Sequence, residues 1–340
     1  MNKIKNLIRN IIGDGFYSNL TNGYINLREL NVLIKNNYVD GKLFYKHSMV
    51  FKQDTFSKIE SKIVLHYHAI EKGFLHTNFR YRFAEARVKD LVKLLSMEEV
   101  LRNRKRSQIA AAYLAMCKYY ERHEINKIDI SDFFQNKDYE VFKKATSLNL
   151  EIIKNHDNGL YFDNVKSDFY KFSWSRASVR SFTGAKIPLD KIQDVISLAK
   201  NAPSVCNRQP TKVYYVQEKE KIDNVLKIQG GLTGYTEEIT QLLVVVSDRN
   251  YFYSIGERNQ LYVDGGIFVM NLLYALHYYE IAACPAHWGH NVDKDKEIMN
   301  AIPLSESEKV ICVIPIGVPK NDFKTTLSLR RENHEILQII

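Results

Sequence analysis

Cysteine is scarce and scattered. The four cysteines, Cys117, Cys206, Cys284 and Cys312, form no CxxC pair. That pattern excludes a disulfide framework and a zinc-ribbon site, and it fits a reducing, cytoplasmic setting. No uninterrupted apolar run reaches the roughly 18 residues that a bilayer-crossing helix needs. No GxGxxG follows a strand pattern; the nearest string, Gly230-Gly231-Leu232-Thr233-Gly234, is a poor match, so a dedicated dinucleotide domain is not expected. HExxH, catalytic-triad order, zinc fingers and RNP-type aromatic strands are missing too. These gaps argue against metalloprotease or triad chemistry and against a nucleic-acid partner.

The 340 residues are 45% hydrophobic and 26% charged, a globular mix long enough for two domains. The net charge of +9 favours anionic partners without choosing among them. The densest basic run, Arg102, Arg104, Lys105 and Arg106, reads as a solvated helix end or, alternatively, a nucleic-acid patch. Near the start, Ile4, Leu7, Ile8, Ile11 and Ile12 recur at helical spacing between Lys3, Lys5 and Arg9. This amphipathic stretch lacks the apolar core of a signal peptide. It either docks on the protein's own body or makes weak contact with an anionic membrane surface.

The texture changes midway. Residues 1–165 read as a mostly helical N-terminal domain of unassigned role, with helices over 56–71, 80–95 and 98–122 and a further start at Ser131-Asp132. Gly73 is expected to close the first of these as its C′ residue. The polar, glycine-bearing segment 155–164 is expected as a linker. Residues 166–340 alternate helix and strand. Helices are expected at 188–200, 219–228 and 256–279, and strands at 211–216, 241–247 and 309–318. The 256–279 helix is apolar nearly all round, so it is buried or at an interface. The expected class is α+β: a central mixed or antiparallel sheet flanked by helices, plus the helical N-terminal domain.

Four segments of the second half carry chemistry. In Arg176-Ala177-Ser178-Val179-Arg180, alternate residues share a face if the chain is extended, so two guanidiniums and a hydroxyl converge as an anion seat. In Pro203-Ser204-Val205-Cys206-Asn207-Arg208-Gln209-Pro210, prolines stiffen a loop. There Asn207 and Gln209 offer amides that match the edge of a pyrimidine-like ring. Asp264-Gly265-Gly266 places two glycines early in the apolar helix, where each costs about 1 kcal/mol against alanine, so a close backbone approach is expected. Cys284-Pro285-Ala286-His287-Trp288-Gly289 forms a loop able to present N–H groups to a ligand.

In this order and spacing the four segments resemble the nitroreductase family of FMN-dependent oxidoreductases, over about residues 172–335. The R-x-S-x-R-x-F string matches Arg176 to Phe182, the A-P-S-x-x-N-x-Q-P loop matches Ala202 to Pro210, and the D-x-G…N-L-L-x-A helix matches Asp264 to Ala275. The resemblance implies a homodimer. It implies that Arg176 and Ser178 hold FMN phosphate and ribityl oxygens and that Arg180 lies by the N1–C2 edge. It also implies that Pro203, Ser204, Asn207 and Gln209 contact a flavin bound mainly by the other subunit. The loop Pro285, Ala286, His287, Trp288 would face N5, and Arg330 or Arg331 would help with phosphate. The chain departs from the family pattern at Thr211, where Trp is common, and at Glu280-Ile281-Ala282, where Gly-Leu-Gly is usual. The implied reaction is ping-pong, with hydride passing from NAD(P)H through FMN N5 to a small-molecule acceptor and no side-chain nucleophile or base. Reductive dehalogenation or dehydrogenation on the same flavin, and a non-catalytic flavin-binding or scaffold role, are the alternatives.

His66, His68, Glu71 and His76 invite a metal, but helical spacing spreads them over more than one face, and no metal is expected. The string His68-x-x-Glu71-Lys72-Gly73 resembles helical extensions of nitroreductase-like proteins from surface-polysaccharide gene clusters. The tail from Leu327 to Ile340 is expected to wrap over the partner subunit, again by resemblance.

Overall fold

The computed structural model describes residues 12–340. The N-terminal amphipathic stretch, save Ile12, lies outside them. The chain divides into two compact units, one of residues 1–59 with 254–256, the other of 60–253 with 257–340.

In the first unit, helix α1 (Asp14–His47) carries Asp14 in its first turn and Lys46 and His47 in its last, each on the side the helix dipole favours. The chain then doubles back. Lys58 Nζ donates to Asp54 at 2.7 Å and to the Lys46 carbonyl at 3.2 Å, tying the start of α2 (Phe56–Gly73) to the end of α1.

In the second unit, α3 (Glu85–Leu95), α4 (Glu98–Arg102), α5 (Ser107–Ile125) and α6 (Asn136–Ala145) complete the helical half. Helix α5 is its axis, buried without interruption from Ser107 to Cys117. The Tyr113 hydroxyl donates to the Leu95 carbonyl and the Tyr119 hydroxyl to the Phe83 carbonyl, so the rings bury their area without orphaning their polar tips. The single helix expected over 98–122 is two, broken where Arg106 turns to pair with buried Glu60. Gly73 is not a left-handed cap. A Cβ there would lie 2.0 Å from the Phe83 ring, so the glycine makes room for an aromatic. The segment expected as a linker is ordered: β1 (Ile153–Asp157) and α7 (Asn158–Tyr161) occupy it.

Next come α8 (Phe169–Ser175), α9 (Leu189–Ala199), β2 (Thr211–Val216), α10 (Lys219–Gln229), β3 (Leu242–Asp248), α11 (Gln260–Tyr278), β4 (Ala282–Ala283), β5 (Ala286–His287), α12 (Val292–Ala301), β6 (Glu308–Gly317), β7 (Asp322–Thr326) and α13 (Asn333–Ile336). The main sheet runs β2-β3-β6-β4, with β5 also on β6, and its pairings are antiparallel. A second sheet pairs β1 with β7. The class is the expected α+β arrangement of an antiparallel sheet flanked by helices beside a helical N-terminal part.

Strand β3 is buried at every residue because it is covered on both faces. Leu242, Val244 and Val246 join Ile222 and Leu226 of α10, while Leu243 and Val245 join Val195 of α9 and Leu272 and Leu276 of α11. A bulge on β6 leaves Ile311 without a partner between Val245 and Val246. Ile311 presses on α11, where a Cβ on Gly265 would come within 2.7 Å of it. The approach expected at this glycine is therefore between helix and strand.

Glu280 is left-handed at φ 58° and exposed. A side chain in that region costs about 1 kcal/mol or more. Glu280→Gly should accordingly raise unfolding free energy by about 1 kcal/mol, read from denaturant midpoints at unchanged slope. A loss of stability would show the turn to be unstrained.

Candidate functional site

Asp168 caps α8 by accepting from the Lys171 N–H at 3.0 Å. The helix stops at Ser175 and hands an extended segment to the sheet edge. Val179 N–H donates to the Ala283 carbonyl at 3.0 Å, and Phe182 bridges Pro319. Val179 is buried in the core between partly exposed Ser178 and Arg180, the alternation expected of an extended strand, and Phe182 turns into the core where the segment reaches Pro319. This pairing brings the first and fourth chemical segments of the sequence side by side.

Arg176 is the most telling side chain. Its Nε and Nη1 are buried and have no hydrogen-bond partner among the described residues. Burial pushes its pKa down, and the neighbouring charge of Arg330 pushes further. A buried, unpaired guanidinium is costly unless a ligand anion completes it. Other cations gather with it. The Lys72 ammonium, at the end of α2, is held below its usual range by burial first and then by Arg180 and Arg87. The buried Cys284 thiol is raised by burial and feels Arg180, Lys72 and Arg176 in the opposite sense. No carboxylate pairs with Arg176, Arg180, Lys72 or Arg330 among the described residues. The cluster suits a multivalent anion such as a phosphate monoester.

The two C-terminal arginines separate cleanly. Arg331 is committed to Glu60 at 2.9 Å and lies 3.7 Å from Glu335. Arg330 donates to the Ser328 carbonyl and lends its charge to Arg176. Of the pair, Arg330 is the one that faces the cluster. The tail that positions it docks on the chain's own helical half. Leu327 N–H donates to the Ile152 carbonyl, Gln108 Nε2 to the Leu329 carbonyl at 2.9 Å, and Ser107 to Glu335.

The Pro203–Pro210 loop lies apart from this cluster in its contacts. Buried Asp264 of α11 accepts from Val205 N–H at 3.2 Å and from Gln260, and Ser204 Oγ accepts from Gln209 N–H at 2.9 Å. Cys206, Asn207 and Gln209 are all left-handed, at φ 48°, 55° and 50°. Such strain clusters at functional loops. Pro203, Asn207 and Gln209 are exposed, with Gln209 Nε2 donating to Asn207 Oδ1 at 3.1 Å. Their amides stand open to an incoming group.

In the fourth segment the side chain of Trp288 turns inward. It is buried in the core against the α10 and α12 side chains, and its Nε1 donates to Asp295 at 2.7 Å. Ala286 is likewise buried, as a β5 residue on β6. Pro285 is half-buried and His287 exposed, its carbonyl accepting from Gln229. An aromatic in a loop looks available in sequence; the acidic partner that withdraws this one lies on the following helix. Trp288→Phe should cost about 1–2 kcal/mol of stability through the lost Asp295 bond. Denaturant melts check it, and unchanged stability would show the indole N–H to be unpaired.

Sequence reasoning missed three residues. Lys72 was hidden in a histidine-rich string whose members go separate ways: His68 pairs with Glu71, His66 faces Asp90, and His76 stacks on Tyr235 at 4.3 Å. Tyr235 donates to the Lys72 carbonyl at 2.7 Å, and burial raises its pKa to about 12. His277, in the last turn of α11, is buried beside Arg176, with Nε2 2.7 Å from Ser175 Oγ. Burial first, and then Arg176, lower its pKa to about 4. Its signal was a lone histidine in an otherwise apolar helix.

Residues 175–242 match the family model described as the nitroreductase family, the one that the sequence segments resemble. No curated protein matches the chain. Among solved structures, a nitroreductase-like protein from Streptococcus mutans is 21% identical and covers 52% of this chain and 99% of its own, at a TM-score of 0.44. An FMN-dependent nitroreductase from Clostridium difficile R20291 is 16% identical, covering 49% and 96%, at 0.42. A nitroreductase family protein from Clostridium difficile 630 is 18% identical, covering 51% and 94%, at 0.39.

Proposed function

We propose that this chain, whose residues 175–242 carry the nitroreductase-family segment, is an FMN-dependent NAD(P)H oxidoreductase that works as a homodimer on a small molecule. The orphaned, buried guanidinium of Arg176 carries the reading. The residues fit FMN. Arg176, Ser178 and Arg330 would hold the phosphate and ribityl oxygens, Arg180 with Lys72 would face the N1–C2 edge, and the exposed amides of Asn207 and Gln209 would meet a flavin seated mainly on the partner. Bound FMN would accept hydride at N5 from NAD(P)H and release it to the acceptor.

The chain's own part is positioning and electrostatics. Cations without carboxylate partners stabilise negative charge on the ring and phosphate, and they do so more strongly because burial excludes water. Neutral His277, bonded to Ser175, keeps a further positive charge away from Arg176 at ordinary pH.

An outward apolar stripe on α11 supports the homodimer. Tyr262, Val263, Ile267 and Met270 are exposed, and Gly266 among them has open space where a Cβ would sit. Glycine there lets a second copy come close. A cytoplasmic setting is consistent with four unpaired cysteines. The resemblance of the His68–Gly73 string points to surface-polysaccharide biosynthesis as the setting of the acceptor. Anaerobic addition of NADH or NADPH to the FMN-loaded chain should bleach the flavin band, and an acceptor panel should restore it. Flavin that binds but does not bleach would favour a non-catalytic role; a chain that never takes up FMN would defeat the proposal.

A further inference from the structure

Helix α1 buries none of its residues. Its side chains nevertheless follow one strict pattern. Tyr17, Tyr24, Asn31, Tyr38 and Tyr45 stand seven residues apart. Leu20, Leu27, Ile34 and Gly41 each follow three residues after one of the first four. The alternating three-and-four spacing holds from Tyr17 to Tyr45 without a slip. A helix docking on its own globular body follows the 3.6-residue period instead, drifting about 20° per heptad against this one. A sustained 3.5-residue repeat is the seam of a coiled coil, with the first set at the a positions and the second at d.

We infer that α1 pairs with α1 of a second copy of this chain, parallel and in register, as a two-stranded coiled coil. Asn31 decides the orientation. In a parallel pair, a positions face a positions, so the two Asn31 amides meet and bond to each other. In an antiparallel pair, a faces d, and the amide is set against Leu27 or Ile34 with no partner, which is costly. One polar a residue at the centre of an apolar seam is the device that fixes register and two-strandedness. At the flanking e positions, Lys35 faces the partner's preceding g residue, Leu30, which stands exposed. Its aliphatic stem covers that apolar surface while the charge reaches water. The pairing is independent of the flavin reading, because α1 belongs to a compact unit that contains none of the cation cluster.

The test uses the full chain with Cys206→Ser, which removes the exposed native thiol. Tyr17→Cys and Tyr45→Cys are introduced singly, with Asn22→Cys, outside the seam, as control. Under mild oxidation each seam variant should form a disulfide-linked dimer at least about tenfold faster than the control, and Leu27→Asp with Ile34→Asp should abolish the link. These positions lie outside the core, so folding is left intact, which circular dichroism checks. In an antiparallel pair the thiols introduced at positions 17 and 45 sit about 42 Å from their own copies, so linkage only in a mixture of the two variants would overturn the inference. So would rates equal to the control in both variants, or α1-dependent sedimentation with phosphatidylserine vesicles in place of cross-linking.

Discussion

Replacing Arg176 by methionine is expected to weaken FMN binding about a hundredfold, or about 3 kcal/mol, and to make the FMN-free chain more stable. The two effects share one cause. The guanidinium is buried with Nε and Nη1 unpartnered, next to another cation. Without a ligand that charge is a liability, and an apolar side chain of similar length should recover about 1–3 kcal/mol. With FMN it becomes one half of a charge-assisted pair, whose truncation typically costs about 2–5 kcal/mol. Fluorescence titration gives the affinity, and melting of the FMN-free protein gives the stability. Lower stability together with unchanged affinity would mean that Arg176 is a structural residue satisfied by water.

His277→Gln is expected to flatten the acid limb of the stability curve. Folding lowers the pKa of His277 from 6.5 to about 4. As pH falls, the unfolded chain therefore takes up the proton first. Stability is full above about pH 6.5 and declines as pH drops toward 4, by a total approaching about 3 kcal/mol. His66, His76, His123 and His156 are also lowered, each by burial first. The difference between wild type and His277→Gln isolates the one beside Arg176. Urea melts at about pH 7 and about pH 4.5, either side of that window, measure it. Equal losses in both proteins would show that His277 ionises as freely folded as unfolded.

What was legible in the sequence was local. The Arg176–Arg180 segment declared its alternation because Val179, between Ser178 and Arg180, is a core residue. Strands β3 and β6 announced themselves as apolar runs because both of their faces are covered. What was hidden depends on distant partners. Segment 155–164 looks like a linker until β7, far along the chain, supplies the edge for β1. The break after α4 carries no proline or glycine, and Arg106 at the start of the next helix pairs with Glu60, 46 residues earlier. Trp288 looks available until Asp295 is seen to hold it. Lys72 joins the site only because α2, from the other half of the sequence, ends beside Arg180.

The most direct test compares FMN with riboflavin, which lacks the phosphate, on wild-type and Arg176→Met chains. Wild type should prefer FMN by about a hundredfold, the worth of about 3 kcal/mol, and the preference should collapse to within about threefold in Arg176→Met. A preference that survives the substitution, or wild-type chain that binds the two flavins equally, would contradict a phosphate seat at Arg176.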